Sequence, residues 1–147
     1  MSLKNWLNNG WLTEHRTSTQ EITALLAVAD RDLTDCRTSG LSSDWRLNIA
    51  YNAALQASTA ALAASGYRAL REAHHYRVIQ SLAHTIKADA GFIALLDQFR
   101  KKRNVGGYEQ AGMVSDQEAK EMADLALKLR QNVEKWLREN HPDLLDG

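Results

Sequence analysis

The chain has 147 residues, 44% of them hydrophobic, and eighteen Lys and Arg balance eighteen Asp and Glu. That length suits one domain, spanning 1–147, which buries about two thirds of the surface its unfolded chain exposes. A formal charge of zero argues against a protein held on nucleic acid by its overall field, and no apolar run reaches the roughly 18 residues that point to a membrane span.

With one Pro and eight Gly, the chain keeps long uninterrupted stretches of helical rather than alternating periodicity. An all-α domain is expected: an up-and-down four-helix bundle with a short extra N-terminal helix. The N-terminal segment, Leu3 to Leu12, reads as a short helix or turn whose Trp6 and Trp11 cap one end of the core. It is too polar for a signal peptide, so the whole chain is expected to be the mature protein.

A long helix is expected from Ser18 to about Thr38, opened by a Ser18/Glu21 capping box, with Ile22, Leu25, Leu26, Ala29, Leu33 and Cys36 on one face. The single Cys36 cannot form an intramolecular disulfide. On an apolar stripe it reads as a buried core thiol, which suits a reducing, cytoplasmic setting. After Gly40, a helix from about Ser43 to Ser65 carries a row of small residues at Ala50, Ala53, Ala54, Ala57, Ala60, Ala61 and Ala64. Small side chains let neighbouring helices approach closely, which places this helix at the centre of the bundle or at a dimer seam. Gly66 is its left-handed stop.

A loop over Tyr67 to Ala73 leads to a helix with Tyr76, Ile79, Leu82, Ala83 and Ile86 at helical spacing. The next helix, about Asp89 to Asn104, turns Phe92, Leu95, Leu96 and Phe99 inward. The last opens with a Ser115/Glu118 capping box, buries Ala119, Met122, Ala126, Leu129, Val133 and Trp136, and stops at His141-Pro142.

Charge is unevenly spread. Residues 42–110 carry nine Lys and Arg against five Asp and Glu, whereas 111–147 carry five against eight. The surplus peaks at Arg100-Lys101-Lys102-Arg103-Asn104, which Gly106-Gly107 and Tyr108 follow. Extending the buried row by one turn from Phe99 lands on Arg103. A cation on an apolar stripe must snorkel or hold a partner, because an unpaired buried charge is costly. Arg100, Arg103 and Asn104 together offer two planar forks and a neutral donor and acceptor, suited to a phosphate or carboxylate, with Tyr108 close by. Against this stands the ordinary preference for cations in a helix's last turn. Arg68, Arg71 and Arg77 either extend the basic region or are solvated surface charges.

Three stretches, Trp45 to Ala57, Ser65-Gly66-Tyr67-Arg68 with the following His74-His75, and Phe99 to Asn104, give the chain a resemblance to the HEPN superfamily, the higher eukaryote and prokaryote nucleotide-binding domain. The resemblance covers roughly Asp44 to Tyr108. It implies a small helical bundle of the prokaryotic toxin–antitoxin type, a homodimer, a nucleotide- or RNA-facing groove, and a nucleotidyltransferase or antitoxin partner. Ribonuclease members of that family use an Arg, a polar residue and a His four residues on. Arg103 and Asn104 match the first two, and Tyr108 stands where the His would be. A Tyr with a pKa of about 10 is a poor general base at neutral pH, whereas a His of about 6.5 is suited to the task.

The expected function is therefore binding without cleavage, through Arg100, Arg103, Asn104, Tyr108, His74 and His75. A metal-independent endoribonuclease using Arg103, Asn104 and Tyr108 or a loop His is one alternative, and a ligand-free structural bundle is another. No metal or cofactor is expected, because His74 and His75 diverge by about 100° on a helix and have no ligand-type neighbour at suitable spacing.

Overall fold

In a computed structural model that describes residues 2–105 and 114–145, the side chains of Asn104 and Val105 excepted, the chain is an all-α helical bundle with one two-stranded ribbon. The elements run α1 (Leu3–Asn8), β1 (Leu12–Glu14), α2 (Thr19–Asp35), α3 (Ser43–Ala64), β2 (Tyr67–Ala69), α4 (His74–Gln80), α5 (Ala90–Val105) and α6 (Asp116–Asn140). Short 3-10 turns follow α4 at Ser81–Ala83 and α6 at Pro142–Leu144. Among the described residues no helix is long and apolar enough to cross a membrane.

The other three long helices pack around α3, which touches α2, α4, α5, α6 and β2. The composition of α3 explains its central place. Every Ala of its small row is buried, together with Leu47, Tyr51, Leu55 and Leu62, and past the first turn, where Trp45 is exposed, only the stripe of Asn48, Ile49, Asn52, Gln56 and Thr59 reaches the surface. Small side chains allow α2 and α6 to close on it from two directions. The small row is thus filled by neighbouring elements of the same chain.

Serines start four of the helices, Ser18 and Ser115 as the sequence suggests. The hydroxyls of Ser2, Ser18, Ser42 and Ser115 accept from the backbone N–H groups of Asn5, Glu21, Trp45 and Glu118. Ser115/Glu118 is a full capping box. Ser18/Glu21 is only half of one, because the Glu21 carboxylate turns away to accept from Thr17 Oγ1 at 2.6 Å and to pair with His15 at 2.7 Å. Gly66, at φ 97°, ends α3 in the left-handed region.

Four expectations need correction. The segment read as a loop contains β2, paired antiparallel with β1 in the register Leu12↔Ala69, Thr13↔Arg68 and Glu14↔Tyr67. The helix expected through Ile86 ends at Gln80. Ser81 there donates its hydroxyl to the Val78 carbonyl at 2.6 Å and the chain tightens into a 3-10 turn. Val78, Ile79 and Leu82 are its buried residues, while Tyr76 and Ala83 are exposed. In α5 the inward row is Ile93, Leu96 and Phe99; Leu95 is 37% exposed and Phe92 only half-buried. On α6, Leu137 is fully buried and Trp136 half-buried, its ring 5.0 Å from that of His141. Cys36 is buried, as its stripe requires, and its thiol donates to the Leu33 carbonyl.

Candidate functional site

The four consecutive cations of α5 separate by helical geometry. Lys101 points outward, 68% exposed, at 3.5 Å from Asp97 Oδ2. Lys102 reaches α6 and pairs with Glu118 at 2.9 Å, joining two helix ends. Arg100 and Arg103 lie one turn beyond Leu96 and Phe99, so they continue the buried face toward α3 and α4. Arg100 Nε donates to Asp97 Oδ1 at 2.7 Å, and its guanidinium stands 5.4 Å from the ring centroid of Tyr76. Arg103 is half-buried, its guanidinium 5.2 Å from the ring centroid of Tyr51.

Tyr51 rises from the middle of α3 and is 1% exposed. A buried phenol needs a partner, and here it is His75, whose Nδ1 lies 3.2 Å from the hydroxyl. Burial pushes the Tyr51 pKa up to about 12, although Arg103 and Arg100 pull it down. The phenol is therefore neutral across the physiological range. His75 is shifted the other way. Burial lowers its pKa, and the positive charges of Arg103, His74 and Arg100 lower it further. A neutral imidazole thus sits among cations.

The bend that presents the two histidines is made by Ala73 at φ 52°, an unusual conformation for a residue with a Cβ. His74 donates from Nδ1 to the Ala69 carbonyl at 3.2 Å, since a carbonyl oxygen can only accept, and so leaves Nε2 as its free ring nitrogen. Arg71, Ala73, His74, His75, Tyr76 and Arg100 line an open groove at this place.

Of the residues singled out from the sequence, Arg100, Arg103, His74 and His75 converge. Tyr108, Gly106 and Gly107 lie outside the described residues, as does the side chain of Asn104. Among the other basic residues, Arg71 borders the groove and Arg77 stacks 3.8 Å from the Trp11 ring centroid at the opposite flank of α4. Arg68 belongs to a separate cleft. Sequence reasoning missed Tyr51, Tyr76 and Asp97 as members of the site. Tyr51 had a signal: it is a large side chain with a polar tip on a helix otherwise lined with Ala. Among the described residues no three His, Cys, Asp or Glu side chains form a metal-binding cluster.

Chemically the arrangement offers two guanidiniums braced on aromatic rings, one of them partly balanced by Asp97, and a neutral imidazole fixed by a phenol. It can hold an anionic oxygen group, and the imidazole can exchange a proton near neutral pH. No family model matches the chain, and no curated protein or solved structure is similar enough to count as a match.

Proposed function

We propose that this is a HEPN-like binding domain that takes a phosphate group of a nucleotide or RNA between Arg100, Arg103 and His75, without cleaving it. The observation that carries the reading is the inward turn of Arg100 and Arg103 onto Tyr76 and Tyr51, which concentrates positive charge around His75. Cations serving only the helix dipole would have no reason to pack against rings of two other helices. The resemblance of Trp45 to Ala57, Ser65 to His75 and Phe99 to Asn104 adds the nucleotide or RNA, a cytoplasmic setting, and a nucleotidyltransferase or antitoxin partner in a toxin–antitoxin-type module. It also adds a homodimer. A two-fold contact would use surfaces other than the small row of α3, and light scattering at tens of micromolar reports it directly.

The test is binding of a fluorescent single-stranded RNA and of ADP across a salt series. Affinity falls with rising salt, as for a contact dominated by phosphate, and falls further in Arg100→Ala and Arg103→Ala than in Lys101→Ala. Equal behaviour of all three variants would reduce the cluster to a helix-end feature.

A specific observation favours one second reading, the metal-independent endoribonuclease. The Tyr51–His75 pair lies beside Arg103, and burial together with the neighbouring cations keeps that imidazole in the neutral form from which a general base acts, although Tyr108 replaces the family's His.

A further inference from the structure

A second cleft, of about 240 Å³, lies between α2, α3, α4 and the β1–β2 ribbon, and the cationic groove does not use it. Leu62, Ala63 and Val78, all buried core residues, form its floor. Its walls are the half-buried Leu25, Thr59 and Tyr67. The space exceeds the roughly 150 Å³ in which an apolar cavity holds benzene, so it admits one ring and a substituent.

The rim decides what kind of substituent. Glu21 is already committed, since one carboxylate oxygen accepts from Thr17 at 2.6 Å and meets His15 Nε2 at 2.7 Å. Burial alone would raise its pKa, but those two hydrogen bonds and the charges of His15 and Arg68 outweigh burial and lower it. Arg68 faces the same cleft from β2, which the pairing Thr13↔Arg68 holds in place. It is exposed, and among the described residues its side chain makes no hydrogen bond or contact ion pair, acting on Glu21 only through its charge. The rim thus carries one ionised carboxylate, turned onto Thr17 and His15, and one exposed guanidinium above an apolar floor.

We propose that this cleft binds a small single-ring aromatic monocarboxylate, its ring on Leu62, Ala63 and Val78 and its carboxylate toward Arg68. Apolar contact supplies the attraction and the guanidinium selects for the acid over its uncharged analogue. The site is independent of the phosphate groove, although His74 borders both.

The test is a backbone-amide NMR titration of the full chain with benzoate and with benzyl alcohol, which has the same ring without the charge. Benzoate gives saturable shifts at Leu25, Leu62, Tyr67 and Arg68, and benzyl alcohol binds about fivefold more weakly, the ratio expected of an exposed charge contact. Arg68→Ala weakens benzoate by about the same factor, Leu25→Trp fills the cleft and removes binding of both, and Arg103→Ala leaves benzoate binding unchanged. The spectrum of each variant reports whether it is folded. Absence of saturation at tens of millimolar overturns the proposal, as does equal binding of the alcohol. So do shifts that map to α5 and disappear with Arg103→Ala, which would assign the benzoate to the phosphate groove and leave that reading standing.

Discussion

The guanidinium of Arg103 lies 5.2 Å from the ring centroid of Tyr51, so the last turn of α5 is anchored on the middle of α3. Among the described residues this half-buried cation is held by a neutral ring and pairs with no carboxylate. That contact is worth roughly 1 kcal/mol, less than the loss expected when a buried ion pair is broken. Arg103→Ala should lower the unfolding free energy by about 1 kcal/mol in urea denaturation, whereas exposed Lys101→Ala should change it by less than about 0.5 kcal/mol. Equal effects would mean that the ring contact contributes nothing.

The Tyr51–His75 pair leads to a pH dependence. His75 has a lowered pKa in the folded state, so between its folded value and the unfolded value of about 6.5 the unfolded chain binds more protons. Stability is then complete above pH 6.5 and is lost as pH falls through that window. His84, also lowered, by burial and then by the N-terminal charge and Lys87, acts with the same sign. The melting temperature should drop between pH 7.5 and pH 5.5, and His75→Gln should flatten the drop, with the remainder removed by His84→Gln. A wild-type melting temperature that rises on acidification over this range would refute the assignment.

An anion bound between Arg100 and Arg103 screens the charges that keep His75 neutral. Its pKa must then rise, and binding must take up a proton. Titration calorimetry of ADP in two buffers of different ionisation enthalpy near pH 6.5 should show net proton uptake. The uptake should vanish in His75→Gln while binding persists. Proton release would place the phosphate away from His75.

Much of this architecture was visible in the residues, and the exceptions have physical causes. Ser18 and Ser115 marked helix starts because a hydroxyl satisfies free N–H groups locally, and the Ala row of α3 marked a closely approached helix, leaving open whether its neighbours came from the same chain or from a second copy. The β1–β2 ribbon was not visible, since three residues per strand carry too short a pattern and its register depends on partners 53 to 57 positions apart. In α5, Leu95 and Ile93 are equally apolar, and only the direction of α3 decides which faces inward. Arg103 was legible as a cation on an apolar stripe. Its partner was not, because a ring on another helix leaves no mark in local spacing. The convergence of His75 with Arg103 depends on the turn at Ala73, where sequence gives no glycine to announce a left-handed residue.

The centre of the bundle should resist enlargement. Ala57 is fully buried on α3, which is packed on both sides by α2 and α6. Ala57→Leu should cost about 1–3 kcal/mol by overpacking, and the same change at half-exposed Asn48 should cost under about 0.5 kcal/mol. If both replacements are tolerated alike in thermal unfolding, α3 is not as closely approached as its small side chains imply.

Cleavage separates the two functional readings. If binding is the activity, purified protein should leave a mixed RNA pool intact in the presence of EDTA, and its expression should not arrest growth. Tyr108→His is then the change that introduces a group able to exchange protons near neutral pH where the resembling ribonucleases have one, so any cleavage it creates should require Arg103 as well. If the unmodified protein cuts RNA, the base is expected to be His75, already fixed by Tyr51 and adjacent to Arg103. In that case His75→Ala and Arg103→Ala should each abolish cutting by a hundredfold or more. Tyr51→Phe should lower it less, because the imidazole keeps its place and loses only its orienting hydrogen bond. Cutting that survives His75→Ala would exclude this imidazole from the reaction and return the search for a base to the segment around Tyr108.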